Sequence, residues 1–294
     1  MFERQKANIL FHSLLQRPDI NKAYAMVPET DSRYHTIKKV HESLDEIRRK
    51  PHEILEINSQ DNLKLKAIYY PNATSTPITV ICVHGYTSHA EREWAFPGLF
   101  YLSLGYNVLI PYQRAHGLSE GKYISLGALE HLDMMDWVKK VNERNPNGKI
   151  IIHGLSMGGG IVLDLSQKKM ENVQCLIADA PCDSIEGMFQ GISQEQFKTN
   201  AEKIASYAAK RFQKAFGYDV RAFERIETVA KSQYPILLSA GSNEHLEDLF
   251  EAIKKENPRE TDIIILPGCH HGNGMYKQTE LYQDAIRKFI EKYV

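Results

Sequence analysis

The sequence predicts an α/β protein built on a mainly parallel β-sheet with helices on both of its faces. Two observations lead to this prediction. Short runs rich in Ile and Val alternate with segments of helical length, which is the pattern of parallel strands joined by helical crossovers. The length of 294 residues allows one large domain with an insertion and does not require two.

The first 52 residues are predicted to form a polar, helical N-terminal lead-in that is interrupted at Pro28 and Pro51. The α/β domain is expected to span residues 53–294, and its first two strands are joined by a turn at residues 60–62. The predicted strands cover residues 54–58, 63–70, 78–83, 107–110, 149–153, 173–178, 236–240 and 262–266. The predicted helices cover residues 92–104, 126–141, 158–169, 246–255 and 280–293.

Residues 183–230 fit this alternation poorly, because the segment is helical, rich in aromatic side chains and too long for a simple crossover. Ligands bind such sheets at the carboxyl ends of the strands. We therefore expect an insertion that caps this edge of the sheet and presents apolar side chains to a ligand. The alternative is a single covering helix followed by a long loop.

Composition excludes several classes of protein. The formal net charge is -1, and the basic run at residues 48–50 directly follows acidic residues, so no basic face for nucleic acid is expected. The four cysteines form no C-x-x-C pair, which argues against a zinc or redox motif. The first 20 residues are too charged for a signal peptide, and no apolar run is long enough to cross a membrane. The expected location is the cytoplasm, with neither nucleic acid nor membrane as a partner.

The strongest motif is a strand, a tight turn and a helix start at residues 150–160, with the sequence Gly154-Leu155-Ser156-Met157-Gly158 at the turn. A serine on such a turn is held in a strained backbone that projects its hydroxyl above the sheet. Larger side chains at the two glycines would collide with neighbouring backbone. The motif predicts that Ser156 is a catalytic nucleophile.

A nucleophilic serine needs a base and two N–H donors for the oxyanion. Two histidines follow the last predicted strand, and His271 is the preferred base, with His270 as the alternative. Met157 directly follows the nucleophile, and Tyr86 lies in the loop after the strand at residues 78–83, so their amides are the predicted oxyanion donors. We also consider a pocket-facing Tyr86 side chain.

His84 and His89 are spaced like a pair of zinc ligands, but no cysteine pair or clear carboxylate set completes a site. A structural role in the loop is therefore predicted for both histidines. Neither a metal nor an organic cofactor is expected.

These motifs together resemble the α/β-hydrolase superfamily, and in particular bacterial cytoplasmic members similar to cinnamoyl esterases and serine aminopeptidase-like hydrolases. The matching stretches lie at residues 84–87, 105–109, 114–121, 154–159 and 271–272, and the resemblance spans about residues 54–294. The resemblance implies the α/β-hydrolase fold with an eight-stranded sheet and the three positions of a Ser–acid–His triad. The small helical cap is expected from residues 183–230 themselves.

The chain departs from the pattern of these relatives at two places. Tyr112 stands where relatives usually carry a structural Asp, and the stretch Gly241-Ser242-Asn243-Glu244 replaces the usual Gly-x-x-Asp after the seventh strand. The implied triad acid is therefore Glu244. Alternative acids remain, namely Asp183 after the sixth strand and the nearby Glu247 and Asp248.

The predicted activity is hydrolysis of a small-molecule carboxylic ester through an acyl-enzyme. The same triad would also serve amide or peptide cleavage or acyl transfer, because fold alone does not choose among them. A non-catalytic ligand-binding protein on a hydrolase scaffold is the alternative from another class.

Overall fold

A computed structural model describes residues 2–19, 26–72 and 76–294 of the chain. Its centre is one eight-stranded β-sheet, which confirms the predicted fold class. The strands are β1 Glu53–Asn58, β2 Lys64–Tyr70, β3 Ile78–Val83, β4 Asn107–Pro111, β5 Lys149–Leu155, β6 Val173–Asp179, β7 Ile236–Gly241 and β8 Thr261–Leu266.

The strand order in the sheet is β1-β2-β4-β3-β5-β6-β7-β8. Strand β2 pairs antiparallel with both neighbours, and all pairs from β4 to β8 are parallel. The register aligns the carboxyl ends of the central strands, since Val83 pairs with Gly154 and Gly241 pairs with Leu266. The loops that follow β3, β5, β7 and β8 therefore meet at one edge of the sheet, where the predicted site residues lie.

Helices cover both faces of the sheet, as predicted. They are α1 Phe2–Leu15, α2 Tyr34–Arg48, α3 Ala90–Ser103, α4 Glu130–Arg144, α5 Met157–Leu165, α6 Ile185–Phe197, α7 Ala201–Phe216, α8 Arg225–Val229, α9 Glu247–Glu256, α10 Gly274–Lys277 and α11 Thr279–Tyr293, with a 3₁₀ turn at Val220–Ala222. Along β3, Ile81 and Val83 enter one apolar core, and Val80 and Cys82 enter the other. This alternation follows from the period-two geometry of a strand.

The first core contains apolar side chains of α1, α4, α5, α6, α7 and α9, and the second contains those of α2, α3 and α11. The two helices of the predicted lead-in thus belong to opposite sides of the sheet, where α1 packs along α7 and α2 packs along α3. The segment predicted as a cap, residues 183–230, forms α6, α7, the 3₁₀ turn and α8.

One predicted helix starts later than expected, because α4 begins at Glu130 and not at Leu126. Leu126 and Gly127 adopt φ values of 55° and 111°, which lie outside the helical region. The Glu130 carboxylate accepts hydrogen bonds from the backbone N–H groups of Ser125 and Gly127, so it fixes this turn ahead of the helix.

Among the residues that the structure describes, no helix is both long enough and apolar enough to span a lipid bilayer.

Candidate active site

The turn between β5 and α5 has the strained backbone that the motif predicts. Ser156 adopts φ 60° and ψ -117°, a conformation that L-residues with side chains rarely take. The strain is held by close packing, because a methyl group on Gly154 would overlap the backbone of Gly158, and one on Gly158 would overlap the carbonyl of Val83. The Ser156 hydroxyl therefore projects from a fixed position at the carboxyl edge of the sheet.

His271 lies in the loop after β8 and contacts both Ser156 and Glu244. Its Nε2 is 2.8 Å from the Ser156 Oγ, and its Nδ1 is 2.6 Å from the Glu244 Oε2. The second carboxylate oxygen of Glu244 accepts a 2.8 Å hydrogen bond from the Gly241 N–H, which fixes the plane of the carboxylate. The hydrogen bond that the Glu244 carboxylate accepts from His271 raises the pKa of His271 above its usual value, because it favours the charged imidazolium.

The alternative residues make other contacts. The Asp183 carboxylate accepts a hydrogen bond from the N–H of Ser184, and it does not contact His271 among the described interactions. Glu247 and Asp248 form the first turn of α9, where negative charge is favourable to a helix. His270 faces Asn243, with its Nε2 3.1 Å from the Asn243 amide nitrogen.

The two predicted oxyanion amides flank Ser156. Met157 is the first residue of α5, so its N–H has no acceptor within the helix. The Tyr86 N–H donates no hydrogen bond within the described part of the chain. Gly85 lies directly against the nucleophile, because a methyl group added there would stand 3.3 Å from the Ser156 Cβ.

Tyr86 borders the pocket, as considered from the sequence, and its side chain also makes a contact that was not expected. Its hydroxyl donates a 2.5 Å hydrogen bond to the Leu14 carbonyl at the end of α1. The side chain therefore ties residues 84–89, the loop after β3 that carries the predicted Tyr86 amide and is called the oxyanion loop below, to the N-terminal helix.

His84 has a structural role in the loop after β3, as predicted. Its Nε2 accepts a hydrogen bond from the Gln113 N–H, so its Nδ1 carries the proton and donates to the Gly85 carbonyl at 2.8 Å. Burial lowers the pKa of His84 well below its usual value, which keeps the ring neutral. His89 accepts from the Arg92 N–H at the start of α3. Among the described residues, no group of three or more His, Cys, Asp or Glu side chains could hold a metal ion.

Two buried carboxyl groups near the site were not singled out from the sequence. Glu93 in α3 accepts a 2.7 Å hydrogen bond from the Gly85 N–H, and burial raises its pKa to about 7. Asp179 at the end of β6 accepts from the Ser239 and Tyr282 hydroxyls, and burial raises its pKa to about 6. Sequence offered no motif for either residue, because their proximity to Ser156 depends on which strands and helices are neighbours.

A pocket of about 750 Å³ opens above Ser156, within the range of small-molecule sites. The oxyanion loop and the His271 loop form two of its walls, and the first turns of α2 form a third through Thr36, Ile37 and Val40. Helix α2 is anchored beside the pocket, since the Lys39 ammonium donates to the Thr279 hydroxyl at 2.9 Å and lies 4.0 Å from the centre of the Phe96 ring.

The wall formed by α2 is not the one expected, because residues 183–230 were predicted to cover the site. Of the described residues that line the pocket, none belongs to the 183–230 segment. The aromatic side chains of that segment, such as Phe189 and Phe212, are buried in the first core, which also contains Phe11 of α1. Helix α1 supplies apolar surface that the sequence pattern did not attribute to the N-terminal segment, and the aromatic side chains of residues 183–230 pack against it. The expectation that these side chains face a ligand at Ser156 therefore does not hold for this pocket.

The departure at Tyr112 is accommodated by packing. Tyr112 is buried, and its ring fills the space next to Gly117, where φ is 48° and a methyl group would overlap the ring. Its carbonyl accepts a hydrogen bond from the Ser119 hydroxyl at 2.5 Å. The loop is thus closed by an aromatic side chain in place of a carboxylate.

Comparison with known proteins places these features in a family. The family profile described as serine aminopeptidase, S33 matches residues 75–265, which is more than half of the chain. A protein of Bacillus subtilis named uncharacterized protein YqkD is 26% identical over 231 residues, a match that covers 76% of this chain and 74% of that protein.

Solved structures share the fold across most of the chain. An esterase from Pyrococcus furiosus is 24% identical with a TM-score of 0.67, and the match covers 95% of this chain and 98% of that one. Est1E from Butyrivibrio proteoclasticus with bound ferulic acid is 19% identical with a TM-score of 0.64, and the match covers 81% of this chain and 98% of that one.

Proposed function

The chain belongs to the serine aminopeptidase S33 family of α/β hydrolases, and we propose that it hydrolyses carboxylic esters through an acyl-enzyme on Ser156. The observation that carries the proposal is the continuous hydrogen-bonded chain from Glu244 through His271 to Ser156 at the floor of an open pocket. A serine hydroxyl becomes nucleophilic when an oriented imidazole can accept its proton.

The first half of the reaction acylates the enzyme. The Ser156 Oγ attacks the ester carbonyl carbon while its proton passes to the His271 Nε2, and the resulting oxyanion accepts hydrogen bonds from the Met157 and Tyr86 N–H groups. The imidazolium then gives this proton to the alkoxide oxygen of the leaving group as the C–O bond breaks. Glu244 stabilises the imidazolium and keeps the proton of the neutral ring on Nδ1.

The second half releases the acid. A water molecule takes the place of the alcohol and attacks the acyl carbon while His271 accepts one of its protons. Collapse of the second tetrahedral intermediate returns the proton to the Ser156 Oγ and frees the carboxylic acid. The reaction consumes only the ester and one water molecule, and it returns Ser156 and His271 to their starting states.

The choice of ester over amide is supported by solved structures of the same fold, which include an esterase and a protein with bound ferulic acid, an aromatic carboxylic acid. The apolar lining residues Ile37, Val40 and Leu155 offer surface suited to an acyl chain or an aromatic ring in either kind of substrate. Cleavage of amides and acyl transfer to an alcohol would use the same residues.

The proposal is tested with Ser156→Ala. We expect the variant to lose hydrolysis of p-nitrophenyl acetate and labelling by a fluorophosphonate, with the melting temperature of the parent, because the hydroxyl is not part of the packed core. The matched control is Ser206→Ala, which removes an exposed hydroxyl from α7 and should change neither readout. Full esterase activity in Ser156→Ala would refute the mechanism, and faster cleavage of aryl amides than of matched aryl esters would replace the ester assignment.

A further inference from the structure

Glu93 occupies an unusual place for a carboxyl group. It lies in the first turn of α3, is 8% exposed, and borders the pocket beside the proposed nucleophile. One of its oxygens accepts the Gly85 N–H at 2.7 Å, and the other would stand 3.5 Å from a methyl group on Gly85. Burying a carboxyl group costs free energy, and a neutral acceptor would satisfy one N–H as well. The position therefore points to a role beyond backbone satisfaction.

The hydrogen bonds around Gly85 fix the direction of the next amide. The Gly85 carbonyl accepts from the His84 Nδ1–H at 2.8 Å and from the Ser88 N–H at 3.4 Å. The described chain contains no cis peptide bond, and in a trans peptide the C=O and the following N–H point in opposite directions. The Tyr86 N–H thus points away from His84 and Ser88. Glu93 holds the peptide before Gly85, and His84 holds the one after it.

We propose that Glu93 is a positioning residue for the reaction: its carboxyl group fixes the peptide between His84 and Gly85, and thereby the start of the segment whose Tyr86 N–H faces the oxyanion. The inference rests on the proposed function, because it assumes acyl transfer at Ser156. Glu93 makes no bond to substrate in this scheme and acts through the loop.

The proposal is tested with Glu93→Leu and Glu93→Gln. Leucine removes the acceptor for the Gly85 N–H, so we expect kcat to fall about 10- to 100-fold, less than the 10²- to 10³-fold loss when an oxyanion donor is removed outright. KM should change little, because the oxyanion forms only in the transition state. Glutamine keeps an acceptor oxygen and should restore most of kcat.

A second variant without an acceptor keeps the test readable if Glu93→Leu fails to fold. Glu93→Met has an unbranched side chain of nearly the same length, and its kcat should fall as in Glu93→Leu while KM changes little. A folded Glu93→Met with parental kcat would overturn the positioning role.

The matched control is Glu91→Gln. Glu91 is a buried carboxylate in the same turn of α3, but it accepts from the Tyr70 hydroxyl at 3.0 Å and from Arg48 at 2.7 Å, away from the site. It should affect stability and leave kcat unchanged. A folded Glu93→Leu with parental kcat overturns the positioning role. If Ser156→Ala is also fully active, the proposed function fails and the inference fails with it, whereas an inactive Ser156→Ala confines the failure to Glu93.

Discussion

Replacement of Glu244 by glutamine is the sharpest test of how the site orients its base. In the parent, the two carboxylate oxygens accept from the Gly241 N–H and from His271, at 2.8 and 2.6 Å. A glutamine has only one acceptor oxygen. If that oxygen stays on the Gly241 N–H, the amide NH₂ faces His271 Nδ1 and forces the proton of the ring onto Nε2. A ring protonated at Nε2 cannot accept the proton of Ser156.

The opposite orientation of the amide is also unfavourable. With its oxygen on His271, the NH₂ group would face the Gly241 N–H, so two donors would meet in a position where Glu244 is 8% exposed. Both orientations also lack the charge that stabilises the imidazolium. We therefore expect kcat to fall by roughly 10²- to 10⁴-fold, as for the corresponding change in serine proteases, which is about 2.7–5.4 kcal/mol of transition-state stabilisation.

The assay is steady-state hydrolysis of p-nitrophenyl acetate across the pH range in which imidazole titrates. The parent should lose kcat/KM as the pH falls through a His271 pKa that lies above the usual histidine value, and Glu244→Gln should move this limb to lower pH, because the hydrogen bond that raises the pKa is lost. The control is Asp183→Asn. In the parent, the Asp183 carboxylate accepts a hydrogen bond from the Ser184 N–H and does not contact His271, so this variant should keep parental rates. Near-normal kcat in Glu244→Gln with a large loss in Asp183→Asn would show that the acid is Asp183.

Two further predictions concern the proposed base and the packing of the turn around Ser156. His271→Ala should lower kcat by several orders of magnitude and His270→Ala far less, because only His271 lies within 2.8 Å of the proposed nucleophile; equal losses in the rate assay would contradict this assignment. Gly154→Ala should destabilise the fold by about 2–3 kcal/mol through overlap with neighbouring backbone. By contrast, Gly191→Ala in the middle of α6, where a methyl group meets nothing within 4 Å, should stabilise it by about 0.5–1 kcal/mol. Urea unfolding measures both changes, and a Gly154→Ala variant as stable as the parent would argue against a packed elbow.

The sequence was most informative where local pattern and local geometry coincide. The elbow around Ser156 needs small residues on both sides of the serine, and this requirement can be read from five consecutive residues. Strands β3 to β8 were located because buried parallel strands are continuous apolar runs. The turn before α4 was missed because it depends on a side-chain cap from Glu130, which helical periodicity does not reveal.

The identity of the acid stayed open at the sequence level among Glu244, Asp183, Glu247 and Asp248. These carboxylates are close to one another along the chain or follow neighbouring strands, so their positions in the sequence do not decide which of them is the acid. The structure distinguishes them by direction: the carboxylate of Glu244 is turned toward His271 by the Gly241 N–H, and the others point to backbone groups or helix ends.

The sequence by itself determined the class of fold, the strained serine and the loops that surround it, since each depends on residues that are near neighbours in the chain. Only the tertiary structure decided that α2 forms a wall of the pocket, that the aromatic segment packs against α1, and that Glu93 lies beside Gly85 and Ser156. Except for the step of eight residues between Gly85 and Glu93, these contacts join segments far apart in sequence. Their existence depends on which elements bury each other's apolar surface, and no local pattern encodes that choice.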